Sequence, residues 1–357
     1  MPTTTFPAVW TERHRLHDPG GEVWVGVRIP GTEVVARGDL IREALVAAGF
    51  PLVASAEHGA GPLRRLHDPA MLEYLATAYE AWVAGGYLRD PGQDRVVPYL
   101  FPLPQAVADR PFRLPSAPSA RAGVYTTDTT TLIGPGTWEA ALAAADTALT
   151  AAELVLGGAR AAYAACRPPG HHAGRAFFGG SCYLNNAALA AQRLRDGGVE
   201  RVTIADLDAH HGNGTQDIFY DRADVLYASV HVDPGAGWFP HFVGFADEAG
   251  RGPGAGANLN LPVAPGCGDG PWLEAVGAVC GAARRHGGAL VVSLGVDGAA
   301  GDPESPLGIS PGGFARAGAA LAAVGLPTVF VQEGGYDLAR LGGLVVGTLS
   351  AFAGAIP

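Results

Sequence analysis

The chain has 357 residues, a mass of 36.5 kDa and a formal net charge of −10, and its 24 basic residues are all arginine. The absence of lysine excludes Schiff-base chemistry and the lysine of a phosphate-binding P-loop. The acidic balance argues against nucleic acid as a partner, since phosphate binding rests on clustered cations.

The N-terminal run Met1-Pro-Thr-Thr-Thr-Phe-Pro has neither a basic leader nor an apolar stretch, so no secretory signal is expected and a cytoplasmic location is. Between residues 85 and 119 seven prolines are interleaved with Tyr99, Phe101 and Phe112, too long a stretch for an ordinary connection and read as an inserted loop. Ala-rich amphipathic segments at Trp138 to Leu156, Asn185 to Leu194, Leu273 to Arg285 and Phe314 to Ala323 alternate with short apolar runs. That alternation predicts parallel strands joined by helices, an α/β fold arranged as a three-layer αβα sandwich. One domain over residues 1–357 is expected, because the motifs that carry chemistry span 167 to 336. The segment Gly250-Arg-Gly-Pro-Gly-Ala-Gly256 lacks the Gly-Lys-Ser/Thr ending of a phosphate loop and is read as a surface loop. The apolar tail from Leu341 is shorter than the roughly 20 residues of a membrane span and is read as a core helix, with no membrane partner. The four cysteines show no paired spacing and are read as reduced thiols rather than structural zinc ligands.

Three apolar runs end in chemistry. Val202-Thr-Ile-Ala205 leads into Asp206-Leu-Asp-Ala-His-His-Gly-Asn-Gly214, Leu290-Val-Val-Ser-Leu-Gly-Val296 into Asp297, and Thr328-Val-Phe-Val-Gln332 into Glu333-Gly-Gly-Tyr336. Strand alternation would project Asp206, Asp208 and His210 together. That much buried negative charge calls for a dication, with Asp297 as a further ligand. In open parallel sheets the site forms at the carboxyl ends of the strands. The proline-stiffened loop Cys166-Arg-Pro-Pro-Gly-His-His-Ala173 adds the adjacent imidazoles of His171 and His172, an acid/base pair. Ligands, acid/base groups and the Tyr336 phenol together are the parts of a metal-assisted hydrolase. Asp208, His210 and Asp297 are the expected ligands, with zinc as the default and Fe(II) as a competitor. Gly212 and Gly295 stand where a binuclear manganese cluster would want aspartates, so one metal is expected.

These motifs, with Gly134-Pro-Gly-Thr-Trp-Glu-Ala-Ala, Gly179-Gly-Ser-Cys-Tyr-Leu-Asn-Asn-Ala and Phe239-Pro-His-Phe242, resemble the histone deacetylase superfamily, and within it the bacterial acetylpolyamine amidohydrolases. The resemblance implies a central, mostly parallel sheet of about eight strands. It implies that Asp206 hydrogen-bonds His171 and keeps it charged, and that Asn213 orients His172 as the less basic imidazole and hence the general base. It implies a channel lined by Gly180, Ser181, Trp238 and Phe239, and structural K+ or Na+ sites near Ser229 and Val230 and near Phe219, Arg222 and Val225. It also implies a homodimer formed through the proline-rich insert. Two positions depart from the pattern: Ser181 replaces an aromatic channel wall, and Thr130 stands where relatives carry the acid that reads a distal ammonium, Asp128 being out of register. The expected activity is hydrolysis of a small N-acetylated amine, with acetyl-lysine peptide deacetylation and a catalytically silent sensor as alternatives.

Overall fold

The computed structural model describes residues 5–104, 108 and 110–356; the first residues of the N-terminal run and part of the 85–119 insert lie outside these. Eight strands form one parallel sheet. In chain order they are β1 (Ala8–Trp10), β4 (Leu52–Ala54), β5 (Ala161–Ala164), β6 (Val202–Asp206), β7 (Val225–Val232), β8 (Asn258–Val263), β9 (Ala289–Leu294) and β10 (Thr328–Gln332). Their order across the sheet is β4-β1-β5-β10-β9-β6-β7-β8, and every neighbouring pair is parallel. A separate antiparallel hairpin pairs β2 (Glu22–Trp24) with β3 (Val27–Ile29).

The central strands β5, β6, β9 and β10 are buried along their whole length, as expected of a sheet covered on both faces. Alternate residues supply two separate cores. Val202, Ile204, Val291, Val329 and Val331 face α2 (Pro69–Ala84), α4 (Thr137–Leu156) and α5 (Asn186–Asp196). Ala205, Leu290, Val292 and Phe330 face α1 (Ala36–Ala47), α7 (Asp269–His286), α8 (Pro311–Ala322) and α9 (Leu341–Ala355). The short helices α3 (Pro118–Tyr125) and α6 (Asn213–Phe219) complete the set among the described residues. The three-layer α/β architecture is therefore the one the alternation of runs predicts, and the helices found at 137–156, 186–196, 269–286 and 311–322 overlie the four predicted segments. The apolar tail forms α9 and packs with α8 and α1, and no described helix is long and apolar enough to cross a membrane.

The strands β5, β10, β9 and β6 are contiguous in the middle of the sheet. Their carboxyl ends carry the His171/His172 loop, the Glu333–Tyr336 loop, Asp297 and Asp206 respectively, so topology gathers four motifs that are far apart in sequence.

A buried ionic cluster ties the N-terminal segment to these loops. Glu33 pairs with Arg37 at 2.9 Å and Arg167 at 2.8 Å, all three being buried. Burial alone would raise the Glu33 pKa, but the two guanidiniums override it and hold the carboxyl below its ordinary range. Arg37 donates onward to the carbonyls of Gly335 at 2.7 Å and Glu333 at 2.6 Å, and Arg167 to those of His14 at 2.8 Å and His17 at 2.9 Å.

Two stability changes are expected. Glu33→Gln leaves two buried guanidiniums without their carboxylate and should lose about 3–5 kcal/mol in urea unfolding, whereas Asp94→Ala, which breaks an exposed pair with Arg28, should lose less than about 1 kcal/mol. Where α8 crosses α9, a Cβ at Gly318 would lie 2.2 Å from the Thr348 carbonyl oxygen. Gly318→Val should therefore force the helices apart, cost on the order of 1–3 kcal/mol and lower the thermal midpoint.

Candidate active site

The last residue of β6, Asp206, is fully buried, and its carboxylate binds three ways: Oδ2 accepts from His171 Nδ1 at 3.1 Å and the Tyr227 hydroxyl at 3.0 Å, and Oδ1 accepts from the Asp208 amide at 3.2 Å. The strand stops there, and the chain bends so that Asp208 and His210 meet Asp297 instead. Asp206 thus stands with the histidine pair rather than converging on one centre with Asp208 and His210, which simple alternation predicts; the alternation ends with the strand.

Asp208, His210 and Asp297 offer ligand atoms that all lie within 4.8 Å of one another. His210 Nδ1 is 3.2 Å from Asp208 Oδ1 and 3.0 Å from Asp297 Oδ2. Backbone amides fix both carboxylates: Gly334 donates to Asp208 at 2.8 Å and Ala209 to Asp297 at 2.9 Å. Burial and the neighbouring Asp208 push Asp297 up to about 7, while against the pull of burial the two carboxylates raise His210 well above an ordinary imidazole. A shared proton is a poor substitute for a cation in such a place. Two buried carboxylates and one imidazole open to the cavity, all convergent, fit a dication of the zinc type. A Cβ at Gly295 would lie 2.0 Å from Asp208 Oδ2, and one at Gly212 would lie 2.4 Å from Asp206 Oδ2. No side chain fits at either place, so the bridging carboxylates of a second metal have no room.

His171, Cys182 and Glu333 form a second, fully buried group. Glu333 already accepts from the amides of Gly170 at 2.7 Å and His171 at 3.2 Å and from Ser293 Oγ at 3.3 Å. Burial raises the Cys182 thiol well above its ordinary pKa, so it stays protonated. With Glu333 bonded to that loop and the Cys182 thiol directed at the Gly180 carbonyl at 3.4 Å, this cluster holds the histidine loop.

The histidines lie with ring centroids 4.0 Å apart but in opposite electrostatic settings. Burial lowers the basicity of His171, yet Asp208 and Asp206 outweigh it and lift the pKa to about 10. Burial first, and then the charges of His171 and His210, press His172 well below the ordinary imidazole range. His172 Nδ1 donates to Asn213 Oδ1 at 2.7 Å, which leaves Nε2 with its lone pair. One imidazole is thus charged and its neighbour neutral, the division of labour that acid/base chemistry requires.

A cavity of about 310 Å³ opens over these groups, with His172, His210 and Tyr336 at its base and Gly180, Ser181 and Phe239 on its walls. The Phe239 ring stands edge-on to His172, centroids 4.8 Å apart and planes at 88°. A Cβ at Gly180 would meet the His172 ring at 2.3 Å, so this wall must be glycine. Trp238 is not among the residues that line the cavity, contrary to its expected place in the channel; partly buried, it packs against the second of the two cores instead. Thr130 lines the cavity whereas Asp128 does not. Asp128 holds the wall loop, accepting from the amides of Thr130 at 2.9 Å, Thr131 at 2.8 Å and Gly180 at 2.6 Å. Tyr336 is set by Asp302 Oδ2, which accepts from its amide at 2.7 Å, and Arg37 lies 4.6 Å from its ring centroid. Burial drives the phenol well above its ordinary pKa, so it remains a proton donor.

Ser229 pairs in register with Asp206, its hydroxyl 2.8 Å from His231 Nδ1, and Val230 is buried beside it. Phe219, Arg222 and Val225 meet at the turn into β7, with the Arg222 guanidinium 5.0 Å from the Phe219 ring centroid and paired to Asp224.

Sequence reasoning assigned no role to Glu22, Glu33, Arg37, Asp302 or Glu304, or to Arg167, which stands in the quoted histidine-loop motif. Glu333 stood beside Tyr336 in a quoted motif, and a buried acid at a strand end was signal enough to have flagged it.

Comparison with known proteins agrees with this geometry. Residues 32–352 match the model of the histone deacetylase domain. The chain is 41% identical over 348 residues to an acetylpolyamine amidohydrolase of Mycoplana ramosa, covering 97% of this chain and 99% of that one. It is 42% identical over 350 residues to acetylpolyamine amidohydrolase 1 of Pseudomonas aeruginosa, covering 98% and 99%. The crystal structure of an acetylpolyamine aminohydrolase from Burkholderia pseudomallei superposes with a TM-score of 0.91 at 38% identity, covering 98% of this chain and 99% of that chain. The chain belongs to the histone deacetylase family.

Proposed function

We propose that this protein is an amide hydrolase that releases acetate from a small N-acetylated amine of the acetylpolyamine type. The observation that carries this reading is that one cavity is lined by a neutral imidazole at His172, by His210 and by the phenol of Tyr336, with the charged His171 buried behind His172 and the carboxylates of Asp208 and Asp297 converging on His210. The names of relatives matched over nearly their full length support the substrate class.

Asp208, His210 and Asp297 would hold zinc, with Fe(II) as the alternative their hard donors allow. Bound there, the metal would polarise the amide carbonyl and acidify water. His172 takes the proton of the attacking water at Nε2, its ring held by Asn213, and returns it to the departing amine nitrogen. Tyr336 donates its hydroxyl hydrogen to the carbonyl oxygen as negative charge gathers there. His171, fixed by Asp206, stays protonated and keeps its neighbour neutral. The K+ or Na+ sites at Ser229 and Val230 and at Phe219, Arg222 and Val225 belong to the same reading as structural supports. So do a cytoplasmic location and a homodimer formed through the insert, where Tyr99, Leu103 and Phe112 are exposed.

Acetate release by zinc-loaded protein from N-acetylputrescine, N-acetylspermidine and acetyl-lysine peptides tests the reading, with preference for the free amines expected; preference for peptides would overturn the substrate class. Tyr336→Phe should lower kcat by about 10²–10³ with zinc content unchanged. Asp297→Asn should weaken zinc binding by at least the roughly 10–100-fold that loss of a supporting residue costs, read by competition with a chelating dye. Light scattering should give twice the chain mass, and Tyr99→Ser with Phe112→Ser should shift it toward the monomer.

A further inference from the structure

Phe239, the aromatic wall of the catalytic cavity, stands in the connection between β7 and β8, in a loop whose tip has little support: His241 has φ 63° and Phe242 is 88% exposed. The returning limb of the loop, from Gly244 to Glu248, is where it is held, and side chains make the bonds that tie it to the body of the fold. Glu248 Oε2 accepts from the Gly244 amide at 3.0 Å and from Gln216 Nε2 at 2.5 Å. His231 Nε2 donates to the Gly244 carbonyl at 2.8 Å, Asn260 Nδ2 to that of Phe245 at 3.1 Å and Asn258 Nδ2 to that of Glu248 at 2.6 Å.

Gln216 is buried on α6, one turn after Asn213. Its amide oxygen accepts from Asn258 Nδ2 at 3.0 Å and Asn260 Nδ2 at 2.9 Å and lies 3.1 Å from His211 Nε2. The amide is thereby oriented, and its nitrogen has to point at Glu248. The same helix is fixed as closely to the histidine loop. Asn213 Oδ1 accepts from His172 Nδ1, the Thr215 amide donates to the His171 carbonyl at 3.1 Å, and Asp217 Oδ2 accepts from the Arg175 amide at 2.9 Å. A Cβ at Gly214 would lie 2.3 Å from the Ala173 carbonyl carbon, so helix and loop meet without a gap. The Phe239 ring closes on the same His172 from the other side of the arrangement. One short helix therefore sets both the general base and the wall beside it. Neither Gln216 nor Glu248 lines the catalytic cavity, whose outer part is formed by Glu22, Trp24, Ile29, Thr32, Thr130 and Glu304.

We propose that Gln216 and Glu248 are positioning residues of this enzyme, their hydrogen bond holding the Phe239 loop to α6 and so keeping the aromatic wall against His172, where the amide is gripped. This rests on the amide-hydrolase reading and adds to it a pair that touches neither substrate nor metal donors and acts through Phe239. A wall that must stay within a fraction of an ångström of the bound amide gains from a charge-assisted bond to a buried, fully oriented amide group.

The test uses zinc-loaded protein and N-acetylputrescine. Glu248→Ala should raise KM about tenfold, the worth of one hydrogen bond to a charged group, with kcat nearly unchanged, because α6 keeps its bonds to the histidine loop. Glu248→Gln, whose side-chain oxygen accepts from the same two donors, should restore most of the loss. Gln216→Ala releases both partners, so KM should rise as far and kcat should also fall, by about tenfold. In a Phe239→Ala background Glu248→Ala should add less than about twofold, since an effect relayed through the ring vanishes with it, whereas a general loss of stability would add in full. Hydrogen exchange read by mass spectrometry supplies a measurement free of turnover: Glu248→Ala should speed exchange in residues 239–248 and leave the central strands as protected as before. Unchanged KM and unchanged exchange in Glu248→Ala, or full additivity with Phe239→Ala, would overturn the proposal while leaving amide hydrolysis standing. Failure of the wild type to hydrolyse any acetylated amine would overturn the hydrolase reading, and the exchange measurement would then decide alone whether the Gln216 and Glu248 bond holds the wall.

Discussion

The structure depends on keeping buried negative charge at the carboxyl edge of one sheet. Asp206, Asp208, Asp297 and Glu333 are each at most 1% exposed, and they lie on or next to the three adjacent strands β6, β9 and β10. Each carboxylate isolated in such a place would be costly. The chain meets that cost by directing backbone amides at them, from Asp208, Gly334, Ala209 and Gly170, and by placing imidazoles between them. What remains uncompensated converges on Asp208, His210 and Asp297, where the donor set calls for a dication.

That charge also sets the two histidines apart. His171 touches Asp206 and faces Asp208, while His172 hydrogen-bonds the neutral amide of Asn213 and lies against the charge of its neighbour. Two identical side chains, adjacent in sequence, thereby acquire opposite protonation states. The outward-facing one is neutral, which is the state a general base needs.

Further from the metal donors, the Glu33, Arg37 and Arg167 cluster serves the same end mechanically. It fastens the backbone of Glu333 and Gly335, and so the Tyr336 loop, to a segment about three hundred residues away in sequence. Asp302 holds the other side of that loop. Because the phenol must meet a carbonyl oxygen within hydrogen-bond range, rigidity here matters more than its contribution to stability.

Local periodicity and motifs a few residues long were enough for β6, β9 and β10, for the helices α4, α5, α7, α8 and α9 and for the candidate ligands, whereas β1, β4, β5, β7, β8 and the β2–β3 hairpin were not legible in this way. β10 was legible to the residue, as Thr328 to Gln332, and Asp208, His210 and Asp297 could be picked out as acids or imidazoles at the ends of apolar runs. Tertiary structure alone decided what depends on segments meeting across the fold. The end of β6 turned Asp206 away from Asp208 and toward His171, the contact the resemblance implied and alternation did not; the fold also set Trp238, partly buried, against the second core and made Asp128 a loop anchor. It also brought Glu22, Glu33 and Arg37 to a site whose motifs begin more than a hundred residues later, a placement no local pattern encodes because it depends on strand order and on which loops a parallel sheet sets side by side.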